Sequence, residues 1–265
     1  MSSSLQIGQV RVGRINTHEK YFPSISGFTP TVVMTKSYGK YAALSPYLLR
    51  DENGYILENR RQASKIYNSI PRQSVPKSRF DKTVIWEYSA QIHTEEEEKD
   101  IITAGYNRFQ STVENTLTIL PEYWIWREKL MNNIEPVRYP AGYHNRHNCI
   151  GAIVSEEDEE LIGYIESRKK IYIPIYLESV VKEKLFEELK NRLEKGENLL
   201  ILEVDGPHQE SLSYYKVKYK VTDDFIVDST VLATEENLKI LLNDTKHPYG
   251  HGYCLAMALL DIKCD

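Results

Sequence analysis

The segment Glu58-Asn59-Arg60-Arg61-Gln62-Ala63-Ser64-Lys65 concentrates ionisable and amide side chains at a telling spacing. On a helix, residues at i, i+4 and i+7 share a face, so Glu58, Gln62 and Lys65 form a polar stripe. The carboxylate can stabilise positive charge or activate water, the amide can fix a hydroxyl, and the ammonium can hold a phosphate. The same residue types are also ordinary on any exposed helix face, because all three are good helix formers. Asp205, in the turn sequence Asp205-Gly206-Pro207, follows an apolar run and is a second candidate carboxylate at a strand end. His144, His147 and Cys149 lie within six residues of one another, but no second ligand pair follows at finger-like spacing, so we expect a polar loop and no metal. A Cys254–His251 nucleophilic pair has the right atoms but no clear orienting third group.

These residues need elements to position them. Residues 5–15 alternate and residues 30–35 are β-branched, so both read as short strands. Asp51-Glu52-Asn53-Gly54 is a turn, and a helix should run from 58 to 69 and stop before Pro71. Residues 121–133 begin with a proline in a natural first-turn position. Residues 159–170 read as a further helix. Val181, Leu185, Leu189 and Leu193 recur every four residues, which predicts a helix over 178–195 closed by Gly196. Residues 198–204 form a buried strand, and Thr234 caps a helix running to 242. A loop over 244–252 leads to a short last helix. The order is irregular, which predicts an α+β fold, mainly helical with a few short strands, rather than a wound βαβ sheet.

The chain of 265 residues suits a single domain spanning 1–265, with additions near 69–120 and 204–243. No apolar run reaches the roughly 20 residues that span a bilayer, and the N-terminal stretch lacks the apolar segment of a signal peptide. Three scattered cysteines are no disulfide framework. The expected location is the cytoplasm, with no membrane partner; oligomeric state is not encoded in any visible pattern. The net charge of -5 argues against general nucleic-acid binding. Residues 11–82, however, carry thirteen basic and five acidic side chains, a local balance of +8. Such a balance favours a phosphate-bearing ligand if the cations converge. The acidic runs 95–98 and 156–160 read as solvated surface.

The stretch ALSPYLLRDENGYILENRRQASK resembles the opening motif of the NADAR family, in which an upstream Pro-containing piece and a turn precede a helix of the form E-x-x-x-Q-x-x-K. Ser45, Pro46 and Tyr47 match the upstream piece; Glu58, Gln62 and Lys65 match the helix. Asn59 stands where the family has His. WIWREKLMNN is similar to a second NADAR piece through Arg127 and Met131, with Trp124 or Trp126 as its aromatic and Arg138-Tyr139 as the pair that follows. Leu202-Glu203 and Tyr249-Gly250-His251-Gly252, with Asp244 upstream, resemble the closing pieces; Tyr249 replaces the usual Trp.

The resemblance implies hydrolysis of an N-glycosidic bond in a nucleotide-type substrate. The options are an ADP-ribosylated base or nucleotide and a modified base in DNA, the latter a DNA glycosylase that suits antiviral defence and extrudes its base. Such cleavage builds oxocarbenium character on the sugar, which a fixed carboxylate stabilises. Glu58 and Asp205 are the candidate catalytic residues. Gln62, Lys65, Arg60, Arg61, Ser45, Tyr47, Trp126, Arg127, Tyr249, Gly250, His251 and Gly252 are the candidate substrate-binding residues. No cofactor is called for. A non-catalytic module that binds ADP-ribose or nucleic acid is the alternative, since the same stripe serves binding.

Overall fold

A computed structural model describes residues 7–35, 39–67, 119–158 and 160–263. The architecture is mixed α+β, and its contacts divide the chain into two compact units. The first is built from residues 1–49 and 176–265, the second from 50–175. Among the described residues, no helix is long and apolar enough to cross a membrane.

The first unit holds a four-stranded sheet whose strands lie in the order Thr29–Val32, Leu199–Glu203, Val10–Arg14, Thr230–Leu232. Strand β1 (Val10–Arg14) and strand β2 (Thr29–Val32) both pair in parallel with β5 (Leu199–Glu203). Every residue of β5 is buried, which accounts for its unbroken apolar run LLIL. Strand β6 (Thr230–Leu232) pairs antiparallel with β1 at the edge. Residues 204–243 are therefore more than an appended segment, because they supply this edge. The proposed addition at 69–120 lies almost entirely outside the described residues.

Helix α8 (His251–Leu260) packs on β1 and β5. It starts inside the stretch read from sequence as a loop. Helix α7 (Glu235–Leu242) begins as expected, with Thr234 Oγ1 accepting the Asn237 N–H at 3.2 Å. Helix α6 (Leu212–Tyr219) lies between β5 and β6 in the chain. The single helix expected over 178–195 is in fact two. Helix α4 (Ile173–Val180) ends early, and α5 (Lys184–Glu194) restarts after Glu183. Val181 falls in the intervening turn and is exposed, while Phe186 joins Leu189 and Leu193 in the core. The four-residue apolar period thus spanned a break, because periodicity reports which residues are buried and not whether the backbone between them is continuous. Gly196, at φ 90°, closes α5 as expected.

The second unit contains α1 (Leu57–Ala63), β3 (Lys65–Tyr67), α2 (Pro121–Met131), β4 (Cys149–Ala152) and α3 (Tyr164–Ser167). A π-helical turn, Arg168–Tyr172, follows α3 directly. Strands β3 and β4 pair antiparallel. The core joins Tyr67, Tyr123, Trp126, Leu130, Val137 and Ile150 with other buried apolar residues. The expected turn is present: Asp51 Oδ1 accepts the N–H groups of Asn53 and Tyr55, and Gly54 sits at φ 81°.

Helix α1 is shorter than the sequence predicts. It ends at Ala63 rather than 69, and Lys65 lies on a strand. Two side chains take up its last carbonyls: Ser64 Oγ donates to Arg61 O at 2.8 Å, and Tyr123 Oη donates to Ala63 O at 2.5 Å. Ile66 and Tyr67 then bury themselves against β4 as a strand suits them. Tertiary pairing overrides the helical reading here.

Candidate functional site

The second unit buries an unusual set of polar side chains close together in sequence: Glu58, Asn59, Gln62, Ser64 and Lys65, with Arg168 from the π-helical turn. Buried ionisable groups cost stability unless they are paired, so their presence asks for a reason. Asn59 has a structural one. Its amide donates to the carbonyls of Asn133 and Glu135 at 3.1 Å each, and its Oδ1 accepts the Val137 N–H at 2.7 Å. It latches α1 to the segment that follows α2.

Glu58 and Gln62 form a pair along α1. Gln62 Nε2 donates to Glu58 Oε1 at 2.7 Å, and Arg61 lies 3.8 Å from Glu58 Oε2. With its amide nitrogen so committed, Gln62 presents a buried Oε1 that has no hydrogen-bond partner among the described residues. That oxygen is suited to accept from a ligand hydroxyl.

Lys65 is only 6% exposed, yet no hydrogen bond or ion pair to its amine is made among the described residues. Desolvation lowers its pKa from 10.5 to about 8, Arg61 and Arg138 push it further down, and Glu58 and Cys149 partly oppose them. The side chain lines a small, partly open recess. Arg61, Ser64, Tyr164, Arg168 and Tyr172 share its wall. Each guanidinium lies over an aromatic face: Arg61 over Tyr172 and Arg168 over Tyr164, both at 4.1 Å. The recess therefore combines one buried ammonium with two braced guanidinium groups; Glu58 lies 3.8 Å from Arg61, but neither it nor Gln62 lines the recess. Such a set of donors fits an anion, and planar guanidinium groups fit phosphate in particular. Sequence reasoning missed Arg168, Tyr164 and Tyr172. They converge because the π-helical turn changes the register of the helix, and no local residue pattern announces that change.

Other candidates are placed differently. Arg60 is held by Asp51 at 2.9 Å, and Arg127 donates to Val154 O at 2.9 Å and lies over Trp124. Neither is on the recess wall. Trp126 is 2% exposed and packs against Tyr123 and Tyr67 in the core, so it offers no free face to a base. Cys149 is buried, and desolvation pushes its thiol up to about 12. No group of three metal-ligating side chains occurs among the described residues.

In the first unit, the two closing motif pieces do meet. Glu203, fully buried, accepts the Gly252 N–H at 2.8 Å. His251 Nδ1 lies 3.0 Å from Glu203 Oε2, a close ion contact outside hydrogen-bond alignment. His251 Nε2 donates to Val33 O at 2.9 Å. Both ring nitrogens thus face acceptors, which favours the imidazolium. Burial opposes that charge, but Glu203 outweighs it, Asp205 adds to it, and the His251 pKa is raised. Gly250 and Gly252 are required here, since a Cβ on either would strike the Glu203 carboxylate. Tyr249 is buried, donates to Met257 Sδ at 3.1 Å and stacks on Tyr253. The Tyr249-Gly250-His251-Gly252 sequence therefore wraps a buried carboxylate, and its residues are committed to that task. His251 is not paired with Cys254, whose Sγ donates to Gly250 O. Asp205 is half-buried just past β5, Ser45 is buried where it ends a 3-10 turn, and Tyr47 is half-buried.

Comparison with family models, curated proteins and solved structures returned no match. The likeness to NADAR proteins thus stands on the motif residues alone. The basic balance of the first third is distributed as follows. Lys40 pairs with Glu188, Arg60 with Asp51, and Arg11 with Thr230. Of the described basic residues in 11–82, Arg61 and Lys65 converge on one recess.

Proposed function

We propose that the chain is an N-glycosidase acting on a nucleotide-type substrate, with the recess of the second unit as its phosphate-binding site. The observation that carries the reading is Lys65, a buried amine without a partner among the described residues, on one wall with Arg61 and Arg168 and near the Glu58–Gln62 pair. A buried cation that Glu58 only partly offsets lowers stability, and a bound anion would supply the rest.

In this reading Lys65 and the two arginines hold phosphate, and the buried, unpartnered Oε1 of Gln62 accepts a ribose hydroxyl once the substrate is seated. Glu58 stabilises the oxocarbenium-like sugar or activates water as the bond to the base breaks. The substrate is an ADP-ribosylated base or nucleotide, or a modified base in DNA. Release of free base from ADP-ribosylated guanine and from DNA with bulky modified pyrimidines tests the reading. Glu58→Gln should lower turnover by roughly 10²–10⁴-fold while keeping substrate affinity. Equal turnover by both proteins removes Glu58 from the role. The arginine–tyrosine pairs can also hold an anion without any chemistry. Binding of ADP-ribose without turnover by the wild type would favour that second reading, a binding module.

A further inference from the structure

The first unit carries a second constellation that the riboside reading does not use. Ser211 ends a 3-10 turn, Gln209–Ser211, and immediately precedes α6. Its Oγ lies 2.8 Å from His247 Nε2. On the other side of the same ring, His247 Nδ1 lies 2.6 Å from Asp244 Oδ2. Asp244 is fully buried and His247 partly so, and Ser211 is half-buried.

The partners fix the protonation pattern. Asp244 accepts from Tyr214 Oη and Tyr215 Oη at 2.7 Å each, and from the Lys246 N–H at 3.0 Å. Burial alone would raise the Asp244 carboxyl, but the hydrogen bonds from His247, Lys246, Tyr214 and Tyr215 hold it well below the usual range. An ionised Asp244 is placed to accept the Nδ1–H of His247. Nε2 then presents its lone pair to the Ser211 hydroxyl. Tyr215 stacks on the imidazole, with ring centroids 5.3 Å apart, and braces its plane. Nucleophile, base and orienting carboxylate are thus in hydrogen-bonding sequence, the arrangement that activates a serine whatever the fold around it.

We propose that Ser211, His247 and Asp244 form a serine-nucleophile centre that hydrolyses carboxylic esters. It stands independently of the riboside reading. Ser211 Oγ attacks the ester carbonyl and passes its proton to His247 Nε2. The Oγ–C bond forms, the ester C–O bond breaks, and the leaving alcohol oxygen takes the proton from His247. Water, deprotonated by the same imidazole, then attacks the acyl-serine, releases the carboxylic acid and restores the Ser211 hydroxyl. Asp244 does not change protonation; it holds the ring and stabilises the transient imidazolium.

The test uses the full chain with a fluorophosphonate probe and with 4-nitrophenyl acetate. The wild type should form one phosphonyl adduct, mapped by mass spectrometry to Ser211, and release a stoichiometric burst of nitrophenolate. Ser211→Ala should lose both, and His247→Gln should slow adduct formation by about 10³-fold or more. No adduct on the folded wild type, an adduct at another residue, or a burst that persists in Ser211→Ala would overturn the proposal. The wild-type mapping decides the matter even if a variant folds poorly.

Discussion

Replacing Lys65 with methionine offers a test of the recess that does not depend on knowing the substrate. The side chains have similar volume, so packing around β3 should persist. Lys65 titrates at about 8 in the folded chain against an ordinary 10.5. At about 1.36 kcal/mol for each tenfold change in proton affinity, that gap corresponds to about 3 kcal/mol. Below pH 8 the amine is protonated in both the folded and unfolded chain, so the folded state carries the whole desolvation cost. Between pH 8 and 10.5 the unfolded chain retains the proton while the folded chain releases it, and wild-type stability rises. Above 10.5 both states are neutral and the cost is gone. Lys65→Met should therefore be more stable than wild type at pH 7 by a few kcal/mol, and the difference should close as pH approaches 10.5. Urea denaturation of both proteins at steps from pH 7 to 10.5 measures this, because the tyrosines common to both cancel in the difference. Inorganic pyrophosphate should stabilise the wild type at pH 7 and leave the variant unchanged. A variant less stable than wild type at pH 7, or a difference flat with pH, would refute the claim that Lys65 is a buried cation whose desolvation is not repaid in the folded chain.

Other outcomes follow from the same geometry. Gly252→Ala places a Cβ 2.6 Å from Glu203 Oε1, and because that carboxylate is fully buried it should cost about 1–3 kcal/mol in a denaturant titration. Asn59→Ala strands the Val137 N–H and two carbonyls, with a similar loss expected. His251→Gln removes a contribution that is complete below pH 6.5 and fades as pH rises through the elevated folded pKa; the stability difference from wild type should shrink on the alkaline side. Pyrophosphate affinity for the wild type should fall as salt increases, and isothermal titration at two ionic strengths reads it directly.

The sequence made the polar cluster of α1 legible through residue type and spacing. It did so for a partly mistaken reason, since Glu58 and Gln62 share a helix face while Lys65 reaches the site from β3. The turn at 51–54, the caps at Thr234 and Gly196, and the buried strand β5 were all readable, because each depends on local chemistry. What local chemistry does not encode stayed hidden. The Ser211–His247 contact joins residues 36 positions apart. The π-helical turn that brings Arg168 to the recess follows no composition rule. Trp126 and Tyr249 looked like surfaces for a base, but large aromatics are more often core, and both are buried.

Strand β1 has a consequence for how the chain comes to be folded as it is made. Its parallel partner, β5, lies almost 190 residues downstream, as the Gln9–Asn198 hydrogen bond at a separation of 189 records. All of the second unit is synthesised in between. While residues 50–175 emerge as one uninterrupted segment, β1 and β2 lack their parallel partner, and their backbone edges wait until β5 leaves the ribosome. The sheet therefore cannot be completed before β5 and β6 have been synthesised. A ribosome that stalls before residue 199 leaves a nascent chain with two unpaired strands, a target for chaperones and a seed for aggregation.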